Sequence, residues 1–244
     1  MSLDAPAPQA GGFSSELKFV VDAEVARRIR DWARERLEAD PHGSGPWSDE
    51  YRVSSLYFDT EARDVFHRRR SFGRSKYRVR RYAEDADVFL ERKLRNGTRL
   101  AKRRTRIDVA TLPLIAGSTL NGDATAWFRR RVALRRLAPV CQVTYTRVAR
   151  TANTPDGPVR LTLDDHLTAM TSDSLIFQSH PGTSLLDGRC IVELKYRDRV
   201  PAIVREIVDA FALRPERWSK YRAAAQALGL VPPPQPRAPS GSNG

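Results

Sequence analysis

Rows of positive charge recur at every second residue between Arg74 and Arg106, and this pattern constrains the fold more than any other feature of the sequence. Residues two apart on a strand share one face of a sheet. Cations share a face in three consecutive segments: Lys76, Arg78 and Arg80; Lys93 and Arg95, beside Glu91; and Lys102, Arg104 and Arg106. Apolar residues such as Val79 and Leu90 occupy the opposite face. Like charges on neighbouring strands repel one another, so the pattern predicts an anionic ligand between the rows.

The whole chain is basic. Its 244 residues carry a formal net charge of +13, and 41% of them are hydrophobic, which is enough for a substantial core. This balance indicates an anionic partner, whether nucleic acid, polyphosphate, nucleotide or acidic lipid. Cys141 and Cys190 lie in apolar segments and are predicted to be buried free thiols in a reducing compartment. No Cys/His cluster has zinc spacing, and no apolar run has the length of a membrane helix.

Alternating patterns predict about eight strands, at 13–21, 51–59, the three basic segments, 139–151, 159–167 and 190–196. Helical patterns predict helices over 22–39, 60–69, 112–137 with a loop at 117–123, 201–211, and a last helix that ends near residue 229. Asp22 is the predicted N-cap of the first helix, and Ser219 is that of the last, where it would fix the direction of Lys220. Asn96-Gly97 predicts a hairpin between the second and third basic strands. Residues 1–12 and 231–244 are predicted to be disordered tails around a single domain at 13–230.

These elements predict an α+β fold: a closed antiparallel β-barrel of about eight strands, coated by α-helices. Closed sheets of roughly eight strands can hold a small ligand. Here the charged face would line the interior and the apolar face would pack against the helices. The alternative is an ordinary sheet whose charged face meets water, and strand periodicity does not separate the two.

A Glu-x-Lys pattern occurs on three predicted strands, at Glu16–Lys18, Glu91–Lys93 and Glu193–Lys195. Each pair places a carboxylate and an ammonium on the same face. Mg²⁺ bound to phosphates needs only one or two protein carboxylates, because it keeps several waters. The pattern therefore suits a metal-bound polyphosphate, although ion pairs between strands would produce it as well.

At these residues the sequence resembles the VTC-type polyphosphate polymerase domain of the triphosphate tunnel metalloenzyme group, which also contains the CYTH phosphatases. The resemblance covers about residues 14–229. It rests on these stretches: Glu16-Leu-Lys-Phe19, Leu56-Tyr-Phe-Asp59, Tyr77-Arg-Val-Arg80, Leu90-Glu-Arg-Lys93, Lys102, Tyr145-Thr-Arg147, Val192-Glu-Leu-Lys195 and Ser219-Lys-Tyr221.

The resemblance implies a barrel around a basic tunnel and transfer of the ATP γ-phosphate to a growing polyphosphate chain, with Mn²⁺ or Mg²⁺. It implies these catalytic and phosphate-binding residues: Lys18, Arg78, Arg80, Lys93, Lys102, Tyr145, Arg147, Arg217 and Lys220. Glu193 would be the metal ligand, and face assignment adds Glu91 and Asp164. The phosphatase branch opens with Glu-x-Glu-x-Lys, but Ser14 stands at the first acidic position here. This difference favours a polymerase over a hydrolase.

Three other functions stay open: a triphosphatase of the same fold, a polyphosphate-binding module without activity, and a nucleic-acid binder. Against nucleic acid, the carboxylates share the cationic face and would repel a phosphate backbone. The sequence has no Walker A or G-x-G-x-x-G motif, so ATP would be held mainly by its phosphates. We expect no specific nucleic-acid partner and no transmembrane segment. The expected location is cytoplasmic, and a position at a membrane surface or on a membrane-protein partner stays open.

Overall fold

The computed structural model describes residues 15–73, 75–96, 99–116 and 124–232. The two terminal tails predicted from the sequence lie outside these residues almost entirely. The described residues contain ten strands: β1 (Ser15–Val21), β2 (Glu38–Ala39), β3 (Glu50–Asp59), β4 (Lys76–Tyr82), β5 (Asp87–Asn96), β6 (Arg99–Asp108), β7 (Ala138–Thr154), β8 (Gly157–Thr171), β9 (Thr183–Ser184) and β10 (Cys190–Tyr196).

In the same parts of the chain five α-helices accompany the strands: α1 (Ala23–Arg36), α2 (Asp64–His67), α3 (Ala126–Leu134), α4 (Ala202–Ala210) and α5 (Lys220–Ala227). Asp22 caps α1, as the sequence predicts, since its side chain accepts a hydrogen bond from the Val25 amide at 2.8 Å. No helix among the described residues is both long and apolar enough to cross a membrane.

All strands belong to one antiparallel sheet with the order β1-β10-β8-β7-β3-β4-β5-β6; β2 pairs with β7, and β9 pairs with β8. The fold is therefore α+β with an antiparallel sheet, as predicted. β1 and β6 stand at the two ends of this order, and no backbone pairing joins them in the described parts of the chain. The predicted closed barrel of eight strands is thus corrected to an open sheet of ten, in which β2 and β9 have two residues each.

The sheet is nevertheless strongly curved. Lys93 on β5 and Glu16 on β1 lie near opposite ends of the strand order, yet the Lys93 Nζ and Glu16 Oε2 atoms are 2.9 Å apart. Side chains of distant strands can meet in this way only when the sheet curls towards the face that carries them. We call this the concave face, and the opposite one the convex face.

The apolar side chains of the strands face the helices across the convex face. Phe19, Leu163 and Val192 pack in one buried cluster with Ile29 of α1 and Val204 of α4. Val79 and Leu90 belong to a second cluster, which contains Phe128 of α3. Burial of this apolar area supplies the main stabilisation of the fold, at roughly 25 cal/mol per Å². It also leaves the charged alternate positions on the concave face.

Three predicted helices differ from the observed ones. α1 ends at Arg36 and not near residue 39, because Glu38 and Ala39 pair with β7. The helix predicted at 60–69 shortens to α2. Residues Val109–Ala116 form a 3₁₀ helix that contains Pro113, a residue without an N–H donor, and the α-helix begins only at Ala126. The loop predicted at 117–123 lies outside the described residues.

Two smaller predictions concern the hairpin and the cysteines. β5 and β6 pair with Asn96 opposite Arg99, as a hairpin requires, whereas the turn residues themselves lie outside the described parts. Cys141 and Cys190 are both buried and form no disulfide, as predicted. Burial raises the pKa of each thiol to about 12, so both stay protonated at neutral pH.

Candidate active site

One group of charges on the concave face joins β1, β10 and β5. The Lys18 ammonium contacts the Glu16 carboxylate at 2.6 Å and also bonds to Glu193. The Lys195 Nζ lies 2.6 Å from Glu193, and Lys93 contacts the other oxygen of Glu16. Although burial raises the pKa of Glu16, Lys18 and the other ammonium groups lower it to about 2 despite repulsion from Glu193. Two carboxylates are therefore held ionised among three lysines.

A second group joins β4, β5 and β6 around Glu91. Its carboxylate is buried and receives Arg78 through Nε at 2.7 Å and Nη2 at 2.6 Å. Lys102 lies 2.9 Å and Arg104 3.4 Å from the other oxygen of Glu91. Burial alone would raise the pKa of Glu91, but Arg78 and the other cations bring it well below its usual range. One carboxylate here faces three cations, so positive charge is left uncompensated.

A third group joins β7, β8 and α5. Arg147 binds Asp164 through two hydrogen bonds, of 2.6 and 2.8 Å, and Lys220 Nζ lies 2.5 Å from the same carboxylate. The Lys220 ammonium also lies 4.6 Å from the centre of the Tyr145 ring, and the Arg147 guanidinium lies 5.3 Å from it. Tyr145 thus presents its aromatic face to two cations and helps to fix their positions.

Two cations on β4, the half-buried Lys76 and the buried Arg80, form no ion pair among the described residues. Arg80 is 5% exposed, and its Nε donates to Ser55 Oγ at 3.2 Å. Lys76 donates to Ser219 Oγ at 2.8 Å. Burial, followed by repulsion from Lys18, lowers the pKa of Lys76 to about 7. A chain of phosphates lying along β4 would supply the negative charge that the protein does not.

Helix α5 carries cations to one end of the concave face. Ser219 caps the helix by accepting from the Arg222 amide at 3.4 Å and also receives Lys76, which ties the first turn to β4. Tyr221 stacks on Tyr57 of β3 with ring centres 5.5 Å apart. The Tyr221 hydroxyl donates to the buried Asp59. These contacts fix where Lys220 points, as the sequence predicted for a helix capped by Ser219.

A divalent cation can be tested against the carboxylates of this face. Among the described residues, no group of three or more His, Cys, Asp or Glu side chains forms a metal cage. Glu16 and Glu193, however, converge on the single ammonium of Lys18, so their oxygens can share one cation. A site with two carboxylates suits Mg²⁺ or Mn²⁺ that takes its other ligands from water and phosphate. Glu91 and Asp164 are each engaged by several cations, and their metal role stays a prediction.

The structure brings most of the predicted site residues together. Lys18, Arg78, Arg80, Lys93, Lys102, Tyr145, Arg147, Lys220, Glu193, Glu91 and Asp164 all lie on the concave face or at its end. Arg217 is exposed in the segment before α5, and no polar contact joins it to the other site residues among those described. The sequence-based set omitted Glu16 and Lys195, although the Glu-x-Lys pattern contains both.

The comparisons with known proteins agree with this geometry. Two of the solved structures that share the fold illustrate this. One is a candidate adenylate cyclase from Bacillus halodurans, with 16% identity over 84% of this chain and 92% of that chain and a TM-score of 0.54. The other is a candidate adenylyl cyclase from Hippeastrum, described as having a dominant triphosphatase activity, with 16% identity, 87% and 95% coverage and a TM-score of 0.52. At this identity the likeness concerns the fold alone.

A search of the curated proteins found no significant match. A sequence model of the VTC domain matches residues 13–229. This range includes every strand and helix of the described chain and all the ion pairs of the concave face. The protein therefore belongs to the VTC domain family.

Proposed function

We propose that this domain transfers the γ-phosphate of ATP to the end of a growing inorganic polyphosphate chain. The observation that carries the proposal is the charge of the concave face, where cations from six strands and α5 outnumber the four carboxylates between them. Arg80 and Lys76 have no ionic partner there among the described residues. A face of this kind binds a linear polyanion better than it binds a small neutral substrate.

In the proposed reaction a terminal phosphate oxygen of the chain attacks the γ-phosphorus, and the bond from that phosphorus to the bridging oxygen of ADP breaks. The products are ADP and a chain longer by one phosphate. Phosphoryl transfer needs mainly positioning and charge neutralisation. Arg78, Arg80 and Lys102 would hold the phosphoryl oxygens on one side, and Arg147 and Lys220 would do so on the other.

Mn²⁺ or Mg²⁺ held by Glu193 and Glu16 would add positive charge to the phosphates and orient them.

We also propose that the concave face forms a tunnel. Side chains of β1 and β5 already meet across the concave face, and α5 lies over one end. We propose that the polyphosphate chain runs along this enclosed path and leaves beside Lys220.

The test is incubation of the purified protein with ATP and Mn²⁺, followed by sizing of the phosphate products on a gel. The proposal predicts chains that lengthen with time while ADP accumulates in equal amount to the phosphate incorporated. Orthophosphate as the sole product would instead identify a triphosphatase. Binding of tripolyphosphate without turnover, under any of several divalent cations, would identify a binding module.

A further inference from the structure

Four arginines also meet on the convex face, away from the proposed active site. Arg92 of β5 and Arg103 of β6 stand directly opposite each other in the strand register. They line a cavity of about 370 Å³ together with Arg130 and Arg131 of α3, Trp127 and Leu134. This volume is at the low end of the range for small-molecule sites. No carboxylate lines the cavity among the described residues.

This arrangement is unfavourable for the half-buried Arg92 unless an anion occupies it, whereas Arg103, Arg130 and Arg131 are exposed to water. Like charges directly opposite on neighbouring strands destabilise a sheet. None of the four arginines forms an ion pair within the described parts of the chain, and the buried Nε of Arg92 has no hydrogen-bond acceptor there. A buried polar group without a partner costs about 1–3 kcal/mol. Aromatic faces supply part of the compensation: the Arg103 guanidinium lies 4.7 Å from the Trp127 ring centre, and that of Arg92 lies 5.9 Å from Tyr77.

We infer that this convex-face cavity is a second anion site, which binds a multivalent phosphate such as a short inorganic polyphosphate or a phosphate-rich lipid headgroup. Guanidinium groups bind phosphate oxygens through paired hydrogen bonds, and four of them require a ligand with more than one negative charge. The inference does not depend on the proposed catalysis, because Arg92 and Arg103 point away from Glu91 and Lys102 on the same strands. A lipid headgroup is included as a ligand because the apolar Leu134, which also lines the cavity, is 71% exposed.

Ligand binding at this cavity can be followed by the fluorescence of Trp127, because the Trp127 ring lines the cavity and contacts Arg103. The Trp127 Nε1 donates to Thr105 at 2.8 Å, which holds the ring in place. Sodium tripolyphosphate is titrated at constant ionic strength while the fluorescence difference between the wild type and Trp127→Phe is recorded. This difference isolates the convex-face signal from Trp218 near Lys220. A parallel titration uses vesicles of phosphatidylcholine with and without phosphatidic acid.

We expect a saturable change in the Trp127 fluorescence. The double variant Arg103→Ser/Arg131→Ser should bind at least about tenfold more weakly, since the loss of each charged hydrogen bond weakens binding by roughly tenfold or more. The matched control is Arg27→Ser/Arg28→Ser on α1, which removes the same charge from a remote surface and leaves the titration unchanged.

A response to free tripolyphosphate assigns the site to soluble phosphate, and a response confined to phosphatidic acid vesicles assigns it to a headgroup. The inference is overturned if neither ligand changes the Trp127 signal. It is equally overturned if the two double variants bind alike. Because the readout is binding at Trp127, its failure is distinguishable from a failure of polyphosphate synthesis.

Discussion

Arg80 is a buried guanidinium whose charge is not matched by any carboxylate in an ion pair among the described residues. A cation in that state costs stability, and it gains its compensation when an anion binds. Substitution of Arg80 by Met should therefore weaken tripolyphosphate binding by at least about tenfold, as expected for a lost charge-assisted contact. The melting temperature should stay within about 2 °C of the wild type or rise.

The matched control is Arg147→Met, measured by the same calorimetric titration and thermal melt. Arg147 is paired through two hydrogen bonds to the fully buried Asp164, so its removal leaves that carboxylate with Lys220 as its one ionic partner among the described residues. This variant should lose stability as well as binding. If Arg80→Met lost as much stability as Arg147→Met, Arg80 would have a structural role instead.

Glu193 provides a test of the metal proposal. Glu193→Gln keeps the shape of the side chain but removes the charge that faces Lys18 and Lys195. We expect the dependence of synthesis on Mn²⁺ to be lost and the rate to fall at least about a hundredfold, while tripolyphosphate still binds because the cations remain. Synthesis near the wild-type rate, with the same Mn²⁺ dependence, would contradict the assignment. Turnover and calorimetric binding are measured on the same preparation.

Lys76 links binding to proton uptake. Burial, and then Lys18, lower its pKa to about 7, so part of the population is neutral at pH 7.5. A bound polyanion favours the charged form and raises this pKa. Tripolyphosphate binding at pH 7.5–8 should therefore take up a fraction of a proton, which calorimetry detects as a dependence of the heat on the ionisation enthalpy of the buffer. Lys76→Met should reduce that uptake. Equal proton uptake in the variant would indicate that Lys195 takes up the proton instead, since burial lowers the pKa of Lys195 to about 8.

At the scale of the element, the strand pattern could be predicted from the sequence and its closure could not. The period-2 cations at Arg78 and Arg80 correctly gave one charged and one apolar face. Whether β1 and β6 pair depends on the twist and stagger summed over all strands, which no local pattern encodes. The contact between Lys93 and Glu16 is likewise invisible in the sequence, because 77 positions separate the two residues.

Helix α5 was predicted in part. Ser219 was identified as its cap from local chemistry, because Ser favours that position. The family resemblance also implies a site role for Arg217, yet this residue is exposed and makes no polar contact with the other site residues among those described. Its side chain precedes the helix, and an extended segment gives no register from which its direction can be predicted. The cap, by contrast, follows from a hydrogen bond within three residues.

The α5 cap allows a controlled test of positioning. Ser219→Ala removes the acceptor of both the Arg222 amide and Lys76, which should cost about 1 kcal/mol of stability and let Lys220 move. Polyphosphate synthesis should fall at least about tenfold, towards the rate of Lys220→Ala. The control is Asp22→Ala, which removes the cap of α1 on the convex side at a similar cost in stability.

The Asp22→Ala variant should synthesise chains at the wild-type rate. If both cap variants lose activity in proportion to their lost stability, the effect of Ser219 is general unfolding and not the placement of Lys220. Unchanged chain length and yield in Lys220→Ala, in an otherwise active preparation, would show that Lys220 only anchors α5 through Asp164. Yield, chain length and melting temperature together separate these outcomes.

At the scale of the whole molecule, partly buried charged groups predict how stability depends on pH. Burial raises the pKa of Tyr82 but Arg80 and its neighbours outweigh this and lower it to about 7. Lys76 and Lys195 are lowered to about 7 and about 8. All three groups have a lower pKa folded than unfolded, so between about pH 7 and 9 the unfolded chain binds more protons. Stability should therefore rise with pH in that window.

Two groups whose pKa is raised by folding limit the rise of stability at high pH. Cys141 and Cys190 have pKa values raised by burial to about 12, so their contribution falls away above pH 9, where unfolded thiols ionise. We expect the melting temperature to increase by about 5 °C from pH 7 to pH 9 and then to level off.

Saturating tripolyphosphate should flatten this rise, because the bound anion keeps Lys76 and Lys195 protonated in the folded state and so removes the difference in bound protons that drives it. Thermal melts across the pH range, with and without tripolyphosphate, measure both effects. A melting temperature that falls steadily from pH 7 to pH 9 would contradict the proposed charge balance. A rise that tripolyphosphate leaves unchanged would show that the anion binds elsewhere than beside these lysines.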